Sequence, residues 1–423
     1  MTRITEEQKH WQHRVHTLGF REAVLWFLRD RLLREDCREK VVKLIGRLSK
    51  YDPQHEILEL LRSNPLWREQ VEALLLELPE VNAEPTIHFT FRGGGNVPMS
   101  PELDEGRLFF GSGENYYSLD AENGRITWQL QNPGRSWTRS WLSETSLYVC
   151  TGGSLYALSP VDGSELWRYQ VEKALSSPYC FEDHVFVGSE EGTLYAVKAR
   201  SGVRLWTFNV ARSVFVAPGI WKSMIFAASK DHHLYGIRIT DGECIWRFAT
   251  GGKIYAYPYV AEGVVYLASS DHRLYALLAT SGQLLWSFST GGEIHASPVE
   301  KDGVVYLCSR DGHLYAISAE DGKEIWRHRT LGYPSSPSVG HGMVYFSAQG
   351  RVYGLSVEDH KLRWCFPSGT AVATPPVVGN KRVYIGTLSG KLICLKLKTK
   401  LDEQGATIAL KRFMNDEFSP DVS

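Results

Sequence analysis

The chain has no run of apolar residues long enough to cross a bilayer as a helix. It has almost no net charge. Its 47 Lys and Arg stand against 48 Asp and Glu, leaving a formal charge of -1, so no global basic field recruits nucleic acid. The first residues, MTRITEEQKHWQHRVHTLGF, are charged where a secretory signal needs an apolar stretch, and they contain no lipid-anchor cysteine. Of 7 cysteines, an odd number, none has a C-x-x-C spacing. These absences lead to the expectation of a soluble, cytoplasmic protein in a reducing compartment. Cys150 and Cys308 fall at the same place in two repeats and read as small buried thiols. Catalytic signatures are missing too: no H-E-x-x-H, no G-x-S-x-G and no phosphate loop. The triple glycine at 93–95 matches a repeat turn and not a phosphate cradle.

What the 423 residues do contain is repetition. Trp128, Trp167, Trp206, Trp246, Trp286, Trp326 and Trp364 are separated by 39, 39, 40, 40, 40 and 38 residues. A period near forty with several short strands per unit means a propeller or a β-solenoid. Within one unit, GVVYLAS (263–269) is an apolar, β-branched strand. RLYALLA (273–279) follows a tight turn at Asp271 and His272. LLWSFST (284–290) follows a Ser-Gly turn, and a last strand follows the Ser-Pro step, as in SPVEKDG (297–303). Four strands per unit make one propeller blade.

Phe89 aligns with the tryptophan position, 39 residues before Trp128. At the other end, residues 375–399 supply three strands and no tryptophan. The strand at 86–92 therefore completes the last blade, removing an open sheet edge. Inner strands after 101, 140, 178, 218, 258, 298, 337 and 376 predict eight blades. The pattern A-x-x-x-x-x-G-x-x-x-W recurs at 157–167, 196–206, 276–286 and 316–326. It resembles the repeat of the pyrroloquinoline-quinone-type (PQQ-like) propellers. This family includes quinoprotein dehydrogenases and the BamB-type propeller of the outer-membrane barrel assembly machine. The resemblance implies that each of the seven tryptophans packs on a glycine-bearing turn of the adjoining blade, at Gly124, Gly163, Gly202, Gly242, Gly282 or Gly322. His360 stands at the glycine position in blade seven.

Residues 1–80 follow a helical grammar. Thr5-Glu6-Glu7-Gln8 is a capping box, and Asp52-Pro53 and Asn64-Pro65 each place an N-cap before a first-turn proline. The expected fold class is thus mainly β: an eight-bladed propeller over 86–400, a small N-terminal α-helical bundle over 1–80, a linker at 81–85 and a tail at 401–423. The bundle is similar in size and helix count to adaptor domains of bacterial signalling and defence proteins.

Sequence chemistry favours binding over catalysis. The 14 histidines are dispersed, and His232, His272 and His313 sit in blade turns beside Asp231, Asp271 and Asp311, which is ordinary turn chemistry. A quinoprotein dehydrogenase would carry adjacent cysteines and a calcium site in long loops, and no Cys-Cys pair is present. No catalytic, cofactor or metal residues are assigned, and no enzyme activity is expected. Eight or nine residues after each tryptophan lies the loop into the next inner strand, at the channel rim. It carries Trp137, Leu175, Phe215, Tyr255 and His295, with Arg135, Lys173, Ser213, Lys253 and Glu293 two residues earlier. Aromatics beside charges suit a protein or peptide partner. The expectation is a scaffold or adaptor whose propeller binds a partner and whose helical part joins an assembly, with no membrane or nucleic-acid partner. The alternative is a small-molecule sensor for a quinone-like ligand, or a divergent quinoprotein enzyme, using the central funnel.

Overall fold

The computed structural model describes residues 85–397, apart from 105, 132–137, 152, 171–175, 215–218, 331, 373 and 380–381. The expected helical bundle and tail lie outside the described residues. Within them the chain forms thirty-two strands in eight four-stranded antiparallel sheets. Seven blades are continuous in sequence, at 102–131, 141–170, 179–209, 219–249, 259–289, 299–329 and 338–367. The eighth combines Val377–Gly379, Arg382–Gly386 and Lys391–Lys396 with Thr86–Arg92 from the other end of the chain. Blade 5 shows the common plan: Tyr259–Ala261, Val264–Ala268, Arg273–Leu278 and Leu284–Ser289, in that spatial order.

Strand composition follows position in the blade. The second and third strands are covered on both faces by neighbouring blades, so Val264–Ala268 and Arg273–Leu278 are buried almost throughout. The fourth strand lies on the circumference and alternates between exposed and half-buried residues, as in Leu284–Ser289. The first strands line the axis and meet one another, including the pair that closes the ring, Glu102–Asp104 against Val377–Gly379. The core is correspondingly divided among blade interfaces. Tyr266, Leu274 and Ala276 of blade 5 face Val305, Leu307 and Tyr315 of blade 6, for example.

The tryptophans hold blade to blade. The indole N–H groups of Trp128, Trp167, Trp206, Trp246 and Trp286 donate to the backbone carbonyls of Pro160, Ala199, Ile239, Ala279 and Ala319 in the following blade, at 2.7–3.0 Å. Each ring also lies on the glycine of the same turn. A Cβ at Gly282, where φ is +69°, would stand 2.5 Å from the Trp246 ring. Trp326 instead meets His360, with rings 5.0 Å apart and stacked, while His360 takes a φ of 63°. Trp364 is buried beside Tyr345. Truncating a buried aromatic of this kind costs roughly 3–5 kcal/mol.

Each outer strand carries a β-bulge at the residue before the tryptophan position, as the pairings Leu277 with Leu284 and Ala276 with Trp286 show. The bulged residues Leu166, Leu205, Ile245, Leu285 and Ile325 point outward and are exposed. A bulge interrupts the ladder of free backbone groups along an edge strand, which blunts edge-to-edge pairing. Cys150 and Cys308 are buried, and burial pushes both thiols well above the usual range, so they pack as small apolar groups.

Alternating strand direction sorts the connections. Turns between first and second strands, and between third and fourth, share one face of the disc. Turns between second and third strands share the other face with the loops that pass from blade to blade.

Candidate functional site

The loops between blades are fixed by a repeated carboxylate clamp. Asp271 Oδ2 accepts the hydroxyl of Tyr275 at 2.7 Å and the backbone N–H of Gly251 at 2.6 Å. Asp311 Oδ2 does the same with Tyr315 at 2.7 Å and Gly291 N at 2.7 Å. Each aspartate also caps its own turn, through Arg273 N and His313 N. In blade 4, Asp231 accepts Tyr235 and His233 N. His232 and His272 occupy the left-handed position of this turn, and His313 lies one place further along. A Cβ at Gly252 would stand 2.6 Å from the backbone nitrogen of Asp271, so close docking of the loop on the turn needs glycine there. Burial pulls the Asp311 carboxyl upward. Hydrogen bonds from Tyr315, the loop backbone and His313 outweigh this and hold it below the ordinary range.

These clamped loops carry Lys253, Tyr255, Glu293 and His295. Arg135, Trp137, Lys173 and Phe215, with Leu175, lie outside the described residues. Three of the four, Tyr255, Glu293 and His295, come together with three others. The Tyr255 and His295 rings are 4.5 Å apart, and Lys230 Nζ stands 5.5 Å from the centre of the Tyr255 ring. His295 Nε2 is 3.2 Å from Glu293 Oε2, which Arg310 Nη1 approaches at 3.4 Å. Arg310 in turn covers the Tyr333 ring at 5.4 Å. The result is a ridge across blades 4 to 6 in which aromatic and charged groups alternate. Tyr255 is 38% exposed and Tyr333 71%. Burial, followed by the Arg310 charge, lowers the His295 pKa against the opposing pull of Glu293.

Lys230, Arg310 and Tyr333 were missed by the sequence reading. Tyr333 follows Trp326 by the same seven residues that separate Lys253 from Trp246, so the repeat offset contained the signal. Lys230 and Arg310 occupy one repeat position, just before the clamping aspartates.

Inside the ridge the axis holds a cavity of about 520 Å³ lined by residues of all eight blades. Serines from the blade entries stitch the blades together around it. Ser177, Ser297 and Ser336 hydroxyls accept the backbone N–H of Arg139, Tyr257 and Ser297 in the preceding blade, at 2.8–3.0 Å. The Tyr257 and Ser177 hydroxyls lie 3.3 Å apart, two blades distant from each other, and narrow the bore. Arg139 Nε and Nη2 both approach Glu102 Oε2 at 3.1 Å. Among the described residues no group of three or more His, Cys, Asp or Glu converges to hold a metal ion.

Eight four-stranded blades, indole-on-glycine contacts and a strand from the other end of the chain define a PQQ-type propeller. The family model described as outer membrane protein assembly factor BamB matches residues 64–177, 151–256 and 245–410, and the chain belongs to that family. No curated protein matches it. Among solved structures, BamB from Moraxella catarrhalis is similar with a TM-score of 0.64 and 16% identity, covering 74% of this chain and 100% of that one. The computationally designed Ika8 protein is similar with a TM-score of 0.67 and 14% identity, covering 72% and 98%. A quinohemoprotein alcohol dehydrogenase from Pseudomonas putida reaches 0.63 and 12% identity, covering 76% and 77%. At these identities the likeness is one of fold.

Proposed function

We propose that the chain is a non-enzymatic interaction scaffold. Its propeller takes a protein partner on the ridge of Tyr255, His295, Glu293 and Tyr333, and its N-terminal part connects the propeller to a larger assembly. The observation that carries this reading is the alternation of exposed aromatic rings with Lys230, Arg310 and Glu293 on clamped loops. Rings held in place by neighbouring cations lose little freedom on binding, which is what interface anchors require. Lys230, Lys253 and Arg310 outnumber Glu293, so an acidic segment with apolar side chains complements the ridge. Membership of a family described by an assembly factor agrees with a scaffold.

The test is cross-linking of the full chain in its native host, followed by capture with wild type and with Tyr255→Ala/Tyr333→Ala. The cross-linked partner should be lost from the variant while the melting temperature stays unchanged. Equal capture by both proteins would remove the ridge from the reading.

One observation favours a small-molecule reading, the axial cavity of about 520 Å³, a volume within the range of about 300–1,000 Å³ typical of ligand sites. Its wall combines tyrosine, serine and proline with Trp141, Ile220 and three valines, and its single charged residue is Arg139. A rise in melting temperature with pyrroloquinoline quinone and calcium, lost in Tyr257→Ala, would favour the sensor or a divergent enzyme over the scaffold.

A further inference from the structure

The face of the disc opposite the ridge carries a second open groove, of about 1410 Å³, over blades 1 to 3. Its residues come from the turns that join first to second and third to fourth strands, so it cannot share a partner's footprint with the blade-to-blade loops. Part of the lining is apolar: Trp141, Leu142, Leu166 and Trp167 border it, and Leu166 is 51% exposed. Part of it is acidic. Glu102 and Asp104 enter from blade 1, Glu144 from blade 2, and Glu182 and Asp183 from blade 3.

Two guanidinium groups also reach the groove, and both are engaged. Arg107 Nη1 donates to the Pro160 carbonyl at 2.9 Å, and Arg200 Nε stands 3.9 Å from Asp183 Oδ1. Glu102 is held by Arg139. That leaves Asp104, Glu144 and Glu182 as carboxylates arrayed along the groove, the last two exposed. They are spread over three blades and do not converge as metal ligands do. The volume exceeds the roughly 300–1,000 Å³ of a small-molecule site, and the charge repels nucleic acid.

We propose that this groove docks an extended, lysine- or arginine-rich segment of a partner protein, with an apolar side chain of that segment seated on Leu166. Spaced carboxylates answer the spaced cations of an extended chain, and the uncovered Leu166 answers an apolar anchor. The scaffold would then present an acidic groove on one face and a mainly basic ridge on the other, each for a different segment.

The experiment is a fluorescence-anisotropy titration of the full chain with a short labelled peptide of alternating Lys and Leu. Arms with an alternating Glu and Leu peptide and with unlabelled spermine as competitor accompany it. The expected result is saturable binding of the Lys peptide, weakening as salt rises. Glu144→Lys/Glu182→Lys should weaken it at least about tenfold, which corresponds to about 1.4 kcal/mol. Tyr255→Ala/Tyr333→Ala should leave it unchanged, so failure of the ridge and failure of the groove are separable. Lys222 already stands with φ 50° at the place in blade 4 that Glu182 holds, with the same φ, in blade 3, so the turn accepts lysine. If circular dichroism nonetheless shows misfolding, Glu144→Gln/Glu182→Gln replaces the variant. The proposal is overturned if the Lys peptide fails to saturate, if the Glu peptide binds equally or the charge variant binds as wild type does. Full displacement by an equal concentration of spermine would also overturn it, since charge alone would then suffice.

Discussion

The ring of Phe89 lies on Gly124, thirty-five residues further along the chain, so closely that a Cβ at 124 would stand 2.6 Å from Phe89 Cδ2. This is the contact that Trp246 makes with Gly282, executed by the strand that closes the ring. Phe89 pairs with Cys394, and Thr86–Arg92 runs antiparallel to Lys391–Lys396 along its length. Blade 8 therefore depends on both ends of the propeller, and the order of events on losing either end can be stated.

Deleting residues 1–80 should leave the propeller folded, because its first strand begins at Thr86. Extending the deletion through residue 92 should expose Lys391–Lys396 as an unprotected edge and uncover the Gly124 turn. We expect aggregation or a sharp fall in melting temperature for the second protein only. Thermal denaturation with light scattering decides it, and equal damage from both deletions would place the boundary elsewhere.

Gly282→Ala should be costly for its size. The new methyl meets the Trp246 ring at 2.5 Å and the residue keeps a φ of +69°. Left-handed strain of about 1–2 kcal/mol adds to overpacking of about 1–3 kcal/mol. Denaturant unfolding should show a loss of at least about 2 kcal/mol. Gly303→Ala is the control, with a φ of +79° and nothing within 4 Å, so it carries the strain alone. Equal losses at 282 and 303 would mean that the indole contact contributes nothing.

Acid should weaken blade 6 through Asp311. Its folded pKa lies below the ordinary carboxylate value of about 3.9, so the unfolded chain takes up the proton first. The stabilisation is complete above about pH 4 and is lost as pH falls through the folded value. Asp321, drawn down to about 2 by Lys323 and Ser318, acts in the same window. Asp311→Asn should be less stable at neutral pH and show a shallower acid limb in melting temperature. An unchanged limb would show that the clamp at Gly291 does not depend on the charge.

The repeat itself was legible, because period and residue type are set together by the blade. An aromatic ring in the fourth strand and, except at His360, a glycine in the following turn are demanded by one packing contact, so they recur in register, and Phe89 betrays the closing strand by keeping that register. The ridge was legible only in part. Equal offsets pick out Tyr255 and His295 because they lie on equivalent loops, yet Lys230 of blade 4 and Arg310 of blade 6 reach them from another loop type, the turn between second and third strands. The role of Asp271 and Asp311 was also hidden. A turn aspartate looks the same in sequence whether or not its second oxygen holds a neighbouring loop. The groove was not read, although Asp104, Glu144 and Glu182 lie one repeat period apart in the first-to-second-strand turns of consecutive blades, because those turns vary in residue type from blade to blade.

His295 gives the ridge a pH dependence whose sign can be worked out. Burial and the Arg310 charge hold its pKa below the ordinary value, so the ring is neutral at pH 7. An acidic segment seated beside it favours the protonated ring and raises that pKa, so binding takes up a proton. Affinity for such a segment should therefore increase as pH falls from 7 towards 5, a range in which partner carboxylates with pKa values near about 4 stay ionised. The measurement is calorimetric titration with a short peptide of Glu and Phe, in two buffers of different ionisation enthalpy, which reports proton uptake directly. His295→Gln keeps a polar side chain at the position and, whatever its affinity at pH 7, should lose both the uptake and the gain at pH 5. Tyr255→Ala should weaken binding at both pH values by removing the ring that packs on His295. If wild type binds the peptide more weakly at pH 5, or if His295→Gln keeps the full pH response, the acidic segment does not sit against His295 and the ridge is not its site.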